Sequence, residues 1–108
     1  MIKMLSEQEI LDELSEHLNI WRDQYGIKKI ALFGSYVREE QTPSTDIDLL
    51  VEFDQDAITF DNYMNLKFSL EDLFEKKVDL VILDDIKPAL KSKIIRSAKY
   101  AQGARSIS

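Results

Sequence analysis

The chain predicts an α/β fold, a small and mostly buried sheet covered by helices. Two observations carry this. Apolar residues recur at helical spacing after Ser6, after Thr59 and after Pro88, while Ile27–Phe33, Asp46–Phe53 and Val78–Leu83 are short, strand-like apolar runs. The two kinds of segment also alternate, as helix, strand, short helix, strand, helix, strand, helix. About three strands result, and 108 residues leave room for one core, so residues 1–108 are expected to form a single domain.

Ser6-Glu7-Gln8-Glu9 fits a capping box, in which Ser6 and Glu9 each satisfy an orphan amide of the first turn. Ile10, Leu14, Leu18, Trp21 and Tyr25 then make one apolar stripe that ends near Gly26. His17, the only histidine, lies off that stripe and reads as a surface residue. The strand Ile27–Phe33 is broken by Gly34-Ser35. "SYVREE" suits a short helix, and "QTPST" is a polar loop.

"DIDLLVEF", Asp46 to Phe53, has an apolar centre that suggests burial on both faces. Thr59 caps the next helix, which runs to about Lys77 on a stripe of Tyr63, Leu66, Leu70, Leu73 and Phe74. "VDLVIL", Val78 to Leu83, is the third strand. Asp84-Asp85 is read as the cap of a last helix with Pro88 in its first turn, where a missing amide costs nothing. Leu90, Ile94, Ile95 and Ala98 supply its apolar side, and the tail after Gly103 is expected to fray.

Without cysteine the chain has neither disulfides nor thiolate metal sites. No apolar run approaches the ~18 residues of a membrane span, and the N-terminus lacks a signal peptide's layout, so a cytoplasmic protein without membrane attachment is expected. The formal net charge is −6, unevenly spread. Residues 87–108 hold six cations and no acid, which leaves 8 cations against 20 acids, a net of −12, in residues 1–86. That acidic bulk argues against direct nucleic-acid binding, which needs a positive face. The basic end reads first as a solvated helix face whose cations suit the C-terminal dipole, and second as a surface for a phosphate or an acidic partner.

Side chains alternate along a strand, so Asp46 and Asp48 face the same way with Cα atoms about 6.5–7 Å apart. Two such charges where burial begins raise each other's pKa unless a cation intervenes. Magnesium, which prefers carboxylate and phosphate oxygens, answers that need. Asp79 interrupts the third strand's apolar pattern, and if the second and third strands are neighbours it faces the pair. Three such acids suit two metals about 3.5–4 Å apart, the arrangement of phosphoryl-type transfer. Gly34 lets backbone approach a phosphate, Ser35 offers a hydroxyl, and Arg38 lies on the same side of the turn.

These residues resemble a known family. "GSYVREEQTPSTDID" has Gly-Ser, ten residues, then Asp-x-Asp, the signature of the DNA polymerase β-like nucleotidyltransferase superfamily. "IALFGS…STDIDLLVEF…KVDLVIL" is similar to its minimal members, the MNT antitoxins paired with HEPN toxins. The resemblance covers residues 27–98 and implies a small mixed sheet flanked by helices, the polymerase β-like nucleotidyltransferase fold. It implies that Gly34, Ser35 and Arg38 bind the nucleotide, and that Asp46, Asp48 and Asp79 are both metal ligands and catalytic residues. The glycine that usually follows this arginine is Glu39 here, and an alanine before it is Val37.

The resemblance further implies a magnesium-dependent enzyme, with two ions and ATP as substrate. It would transfer AMP to a tyrosine hydroxyl of a cognate HEPN ribonuclease and so inactivate that toxin. The competing expectation is a non-catalytic antitoxin that masks the toxin by binding. A homodimer or a hetero-oligomer with the toxin is also expected, with the basic last helix as a partner surface.

Overall fold

The computed structural model describes residues 5–102. The expectation of a frayed tail after Gly103 lies outside them. The element order is α1 (Glu7–Tyr25), β1 (Ile27–Phe33), β2 (Ile47–Phe53), α2 (Phe60–Phe74), β3 (Val78–Ile82), α3 (Pro88–Ser97) and β4 (Lys99–Tyr100), with single 3-10 turns at Gly34–Tyr36, Gln55–Ala57 and Leu83–Asp85.

Local chemistry starts and stops the two long helices. Ser6 and Glu9 form both bonds of the capping box, at 3.1 and 2.9 Å, and Gly26 closes α1 in the left-handed region at φ 69°. Thr59 accepts from the Asn62 amide at 3.1 Å to open α2. Their apolar stripes meet one face of the sheet. Ile10, Leu14, Leu18 and Trp21 from α1 and Leu66, Leu70 and Phe74 from α2 bury against Ile30, Leu32, Ile47, Leu49, Val51, Val78 and Leu80.

The sheet is mixed, in the order β3-β2-β1-β4. β1 runs antiparallel to β2 and β4, and β2 runs parallel to β3. Its second face carries a smaller cluster of Ala31, Leu50 and Ile86, with Val81, Ile94, Ala98 and Tyr100 packed against it. Burial of β2 on both faces accounts for its uninterrupted apolar centre.

The sheet of about three strands is extended by a short fourth, the two residues Lys99–Tyr100, which pair with Leu32 and Ala31. Three expectations need correction. Asp84-Asp85 does not cap α3. Those residues sit in a 3-10 turn, and the helix begins at Pro88 after an extended Lys87 with no side-chain cap. Proline forces its predecessor out of the helical region, which moves the start beyond reach of both aspartates. Of the last helix's expected apolar side, Ile94 and Ala98 (the latter just past the end of α3) pack against the core, whereas Leu90 and Ile95 are exposed. The expected helix in "SYVREE" is a single 3-10 turn, with Glu39 in the left-handed region at φ 59°.

Candidate active site

The parallel pairing of β2 and β3 sets Asp48 beside Asp79 in register. Neighbours in register share a side of the sheet. Ile47, Leu49 and Leu80 enter the large core, so Asp48 and Asp79 project from the opposite face, the one that carries Leu50, Val81 and α3. The start of β3 is fixed by its neighbours: the Val78 amide donates to Glu71 on α2 at 3.0 Å, and the Ile47 amide to the Lys77 carbonyl at 3.0 Å. Tyr63 adds a bond to the Leu80 carbonyl at 2.7 Å.

Asp46 precedes β2 at the end of a self-bonded loop. Thr42 and Thr45 exchange two bonds there, at 2.8 and 3.0 Å, and Lys76 donates to the Pro43 carbonyl. A groove of about 570 Å³ opens beside it, lined by Pro43, Ser44, Thr45, Asp46, Lys76 and Lys77 among others.

Gly34 stands directly over the second acid. Phe33 pairs with Asp48 across the ladder, and the chain then turns at Gly34 with φ 76°. A Cβ on Gly34 would overlap Asp48 Oδ2 and lie 2.9 Å from its Cγ. Backbone conformation favours glycine here, and a side chain would have to displace the Asp48 carboxylate. The 3-10 turn has no side-chain cap, so the hydroxyl of Ser35 is not spent as one.

The charges act on each other. Burial, then Asp79, then Asp46 push the Asp48 carboxyl above the ordinary value of 3.8, while a Ser35 backbone hydrogen bond and Arg38 pull it back. Burial is the largest of these causes, and the two neighbouring acids add to it. Burial and Asp46 likewise raise the phenol of Tyr36. The set is open: among the described residues the one trio with ligand atoms all within 4.8 Å is Glu13, Glu16 and His17 on α1. Helical spacing explains that trio, and its His17 is already occupied, stacked on Trp21 at 5.3 Å with Nδ1 2.9 Å from the Glu13 carbonyl.

The structure therefore brings together Gly34, Asp48 and Asp79, with Asp46 and Arg38 near enough to move the Asp48 pKa. Arg38 divides its attention. Its Nε bonds Glu40 at 2.9 Å, while the side chain lines a second cavity with Gly34, Val37, Lys93, Arg96 and Ser97. The sequence reading noted the basic end of the chain but not that α3 carries it back to this turn. The i, i+3 spacing of Lys93 and Arg96 was the available signal.

Similarity to known proteins agrees with this geometry. Residues 15–101 match the family profile described as "Polymerase beta, Nucleotidyltransferase". A provisionally named protein adenylyltransferase of Methanocaldococcus jannaschii is 43% identical over 101 residues, covering 92% of this chain and 99% of that protein. The protein adenylyltransferase MntA of Thermococcus cleftensis is 33% identical, covering 90% and 97%. Among solved structures, one described as a minimal nucleotidyltransferase superposes with a TM-score of 0.75 at 29% identity, covering 90% of this chain and 97% of that one. A toxin–antitoxin complex containing an MntA chain gives 0.64 at 27% identity, covering 94% and 76%. The chain belongs to the polymerase β nucleotidyltransferase family, and within it to the minimal nucleotidyltransferases of the MntA antitoxin type.

Proposed function

We propose that this enzyme transfers AMP from ATP to a tyrosine hydroxyl on a cognate HEPN-type ribonuclease toxin in the cytoplasm, and that this modification silences the toxin. The observation that carries the reading is the register of Asp48 with Asp79 on one sheet face, under the Gly34 turn. The protein adenylyltransferases among its relatives and the toxin–antitoxin complex among its structural neighbours support the acceptor class.

Asp46, Asp48 and Asp79 fit divalent magnesium. All three offer hard oxygen ligands, and Asp79 and Asp46 both add to the burial that raises the Asp48 carboxyl, which supports a cation among them. Two ions about 3.5–4 Å apart, the arrangement of phosphoryl-type transfer, are the occupancy proposed. When bound, magnesium would neutralise phosphate charge and lower the pKa of an acceptor hydroxyl.

The chain's own residues do the rest. Backbone at Gly34 approaches the polyphosphate closely, and the Ser35 hydroxyl donates to it, so the α-phosphorus is held toward the acids. Asp79, exposed at the sheet edge, meets the incoming tyrosine. The phenolic oxygen attacks the α-phosphorus, and the bond from phosphorus to the bridging oxygen breaks. Pyrophosphate leaves with that electron pair, and the phenolic proton passes through a carboxylate to solvent. Such a transfer depends on positioning and charge more than on covalent chemistry, which a small site can supply.

The test combines the protein with the HEPN protein encoded beside it, ATP and magnesium, and weighs the partner by mass spectrometry. AMP-sized increments that vanish with Asp48→Ala are expected. An unmodified partner whose ribonuclease activity is still suppressed, even by the Asp48→Ala protein, would leave masking by binding as the function.

A further inference from the structure

We propose that Lys93 and Arg96 of α3, together with Arg38, form the seat of the pyrophosphate leaving group. Nothing in the similarity to other proteins assigns a role to these α3 side chains. The inference rests on the reading of the site as a nucleotidyl-transfer centre and extends it to a second element.

Three observations converge. First, Gly34 belongs to two places at once. One side of its backbone lies on the Asp48 carboxylate, and the residue also lines a cavity of about 320 Å³ with Val37, Arg38, Lys93, Arg96 and Ser97. A polyphosphate whose α-phosphorus lies at the acids and which runs past Gly34 leads into that cavity.

Second, the cavity is cationic inside an acidic protein. Three cations line it, while the chain as a whole carries −6. Lys93 and Arg96 are three residues apart, so they share a helix face and repel each other. Among the described residues neither has an ion-pair partner within 4.0 Å, whereas Arg38 pairs with Glu40 and Lys99 with Glu7. The α3 dipole favours Arg96 in the last turn, but it does not account for a cluster spanning two elements. A bound polyanion does.

Third, α3 is held in place there. Ile94 of α3 and Ala98 just past its end pack against the cluster of Ala31, Leu50 and Ile86 on the sheet face that carries Asp48. The cations therefore stand on a docked helix, not on a free end. As the bond to the α-phosphorus breaks, negative charge grows on the departing pyrophosphate, and these cations meet it. Arg38 contributes despite its bond to Glu40, because a guanidinium has five donors and that bond uses Nε alone.

The experiment titrates inorganic pyrophosphate with magnesium into the full chain and follows heat. Three of the four proteins compared are the unsubstituted chain, the Lys93→Ala/Arg96→Ala double variant, and Lys28→Ala/Lys29→Ala as a control with the same loss of charge elsewhere. All four lysine and arginine side chains are exposed, so folding is expected to survive. A Lys93→Arg/Arg96→Lys exchange guards against any effect of helix composition. The α3 double variant should bind pyrophosphate at least ~10-fold more weakly, a loss of about 1.4 kcal/mol. Its KM for ATP should rise in parallel, while the control and the exchange variant stay within about 3-fold.

Equal pyrophosphate affinity in all proteins, or no binding by the unsubstituted chain, overturns the inference. So does a double variant that keeps its pyrophosphate affinity but loses its hold on the toxin, which would make the groove a protein-docking surface. Transfer of AMP to the toxin, weighed in parallel, separates the two levels. Transfer that ignores Lys93 and Arg96 refutes this inference alone, and absence of transfer by the unsubstituted chain refutes the reading beneath it.

Discussion

At the scale of single residues, the site is a compromise between like charges held by backbone geometry. Gly34 is the sharpest case. At φ 76°, alanine would carry the left-handed penalty of roughly 1–2 kcal/mol and would also push on the Asp48 carboxylate. Gly34→Ala should therefore lower kcat/KM for AMP transfer by about 10-fold or more, with a smaller effect on melting temperature. Unchanged kcat/KM would mean that the acids do not need that close approach. Glu39 is the converse, a non-glycine residue held at φ 59°. Glu39→Gly removes the strain and one negative charge beside Arg38, so the KM for ATP should fall while stability holds or rises. A KM that rises would contradict this.

Asp48 gives a prediction with a definite sign. Burial first, then Asp79 and Asp46, raise its folded pKa above the unfolded value. The folded state thus keeps its proton to higher pH than the unfolded chain does. Stability from this group is full below the ordinary 3.8 and is lost as pH rises through the folded pKa. In chelator at pH 7, Asp48→Asn should melt a few degrees above the unsubstituted protein, and the gap should close toward pH 4. Magnesium should raise the melting temperature of the unsubstituted protein and not of the variant. A gap independent of pH would show that asparagine acts through packing and not through charge.

At the scale of elements, each helix does a separate job. α1 and α2 cover one sheet face, and α3 covers part of the other beside the acids. Leu70 is fully buried on α2, so Leu70→Ala should cost about 2–5 kcal/mol, read by denaturant unfolding. Less than ~1 kcal/mol would mean that α2 does not pack as described.

The elements the sequence made legible are those with local causes: the Ser6 capping box, the Thr59 cap, the Gly34 turn and the helical stripes. The register of Asp48 with Asp79 was legible only as a condition, that their strands be neighbours. β4 was not legible, because Lys99–Tyr100 is too short for any periodicity and is ordered by pairing with Leu32 and Ala31 far along the chain. The same holds for Leu90 and Ile95, which continue an apolar pattern yet remain exposed, since what α3 buries depends on how it docks. The basic end was visible as charge, but only the fold turns Lys93 and Arg96 toward Gly34.

At the scale of the whole molecule, the sheet separates two tasks. One face and its helices supply the larger core, and the other face gathers acids, a glycine turn and a basic helix along one edge. Among the described residues no helix is long and apolar enough to cross a membrane. The central claim is that divalent ions sit among Asp46, Asp48 and Asp79 beneath the Gly34–Ser35 turn. Manganese, added to the isotope-labelled protein with a non-hydrolysable ATP analogue, tests it by broadening the NMR signals of nearby amides. Loss of the signals of residues 34–35, 46–48 and 79, and their return in the Asp48→Ala protein, is the result predicted here. Broadening centred instead on Glu13, Glu16 and His17 of α1 would contradict it.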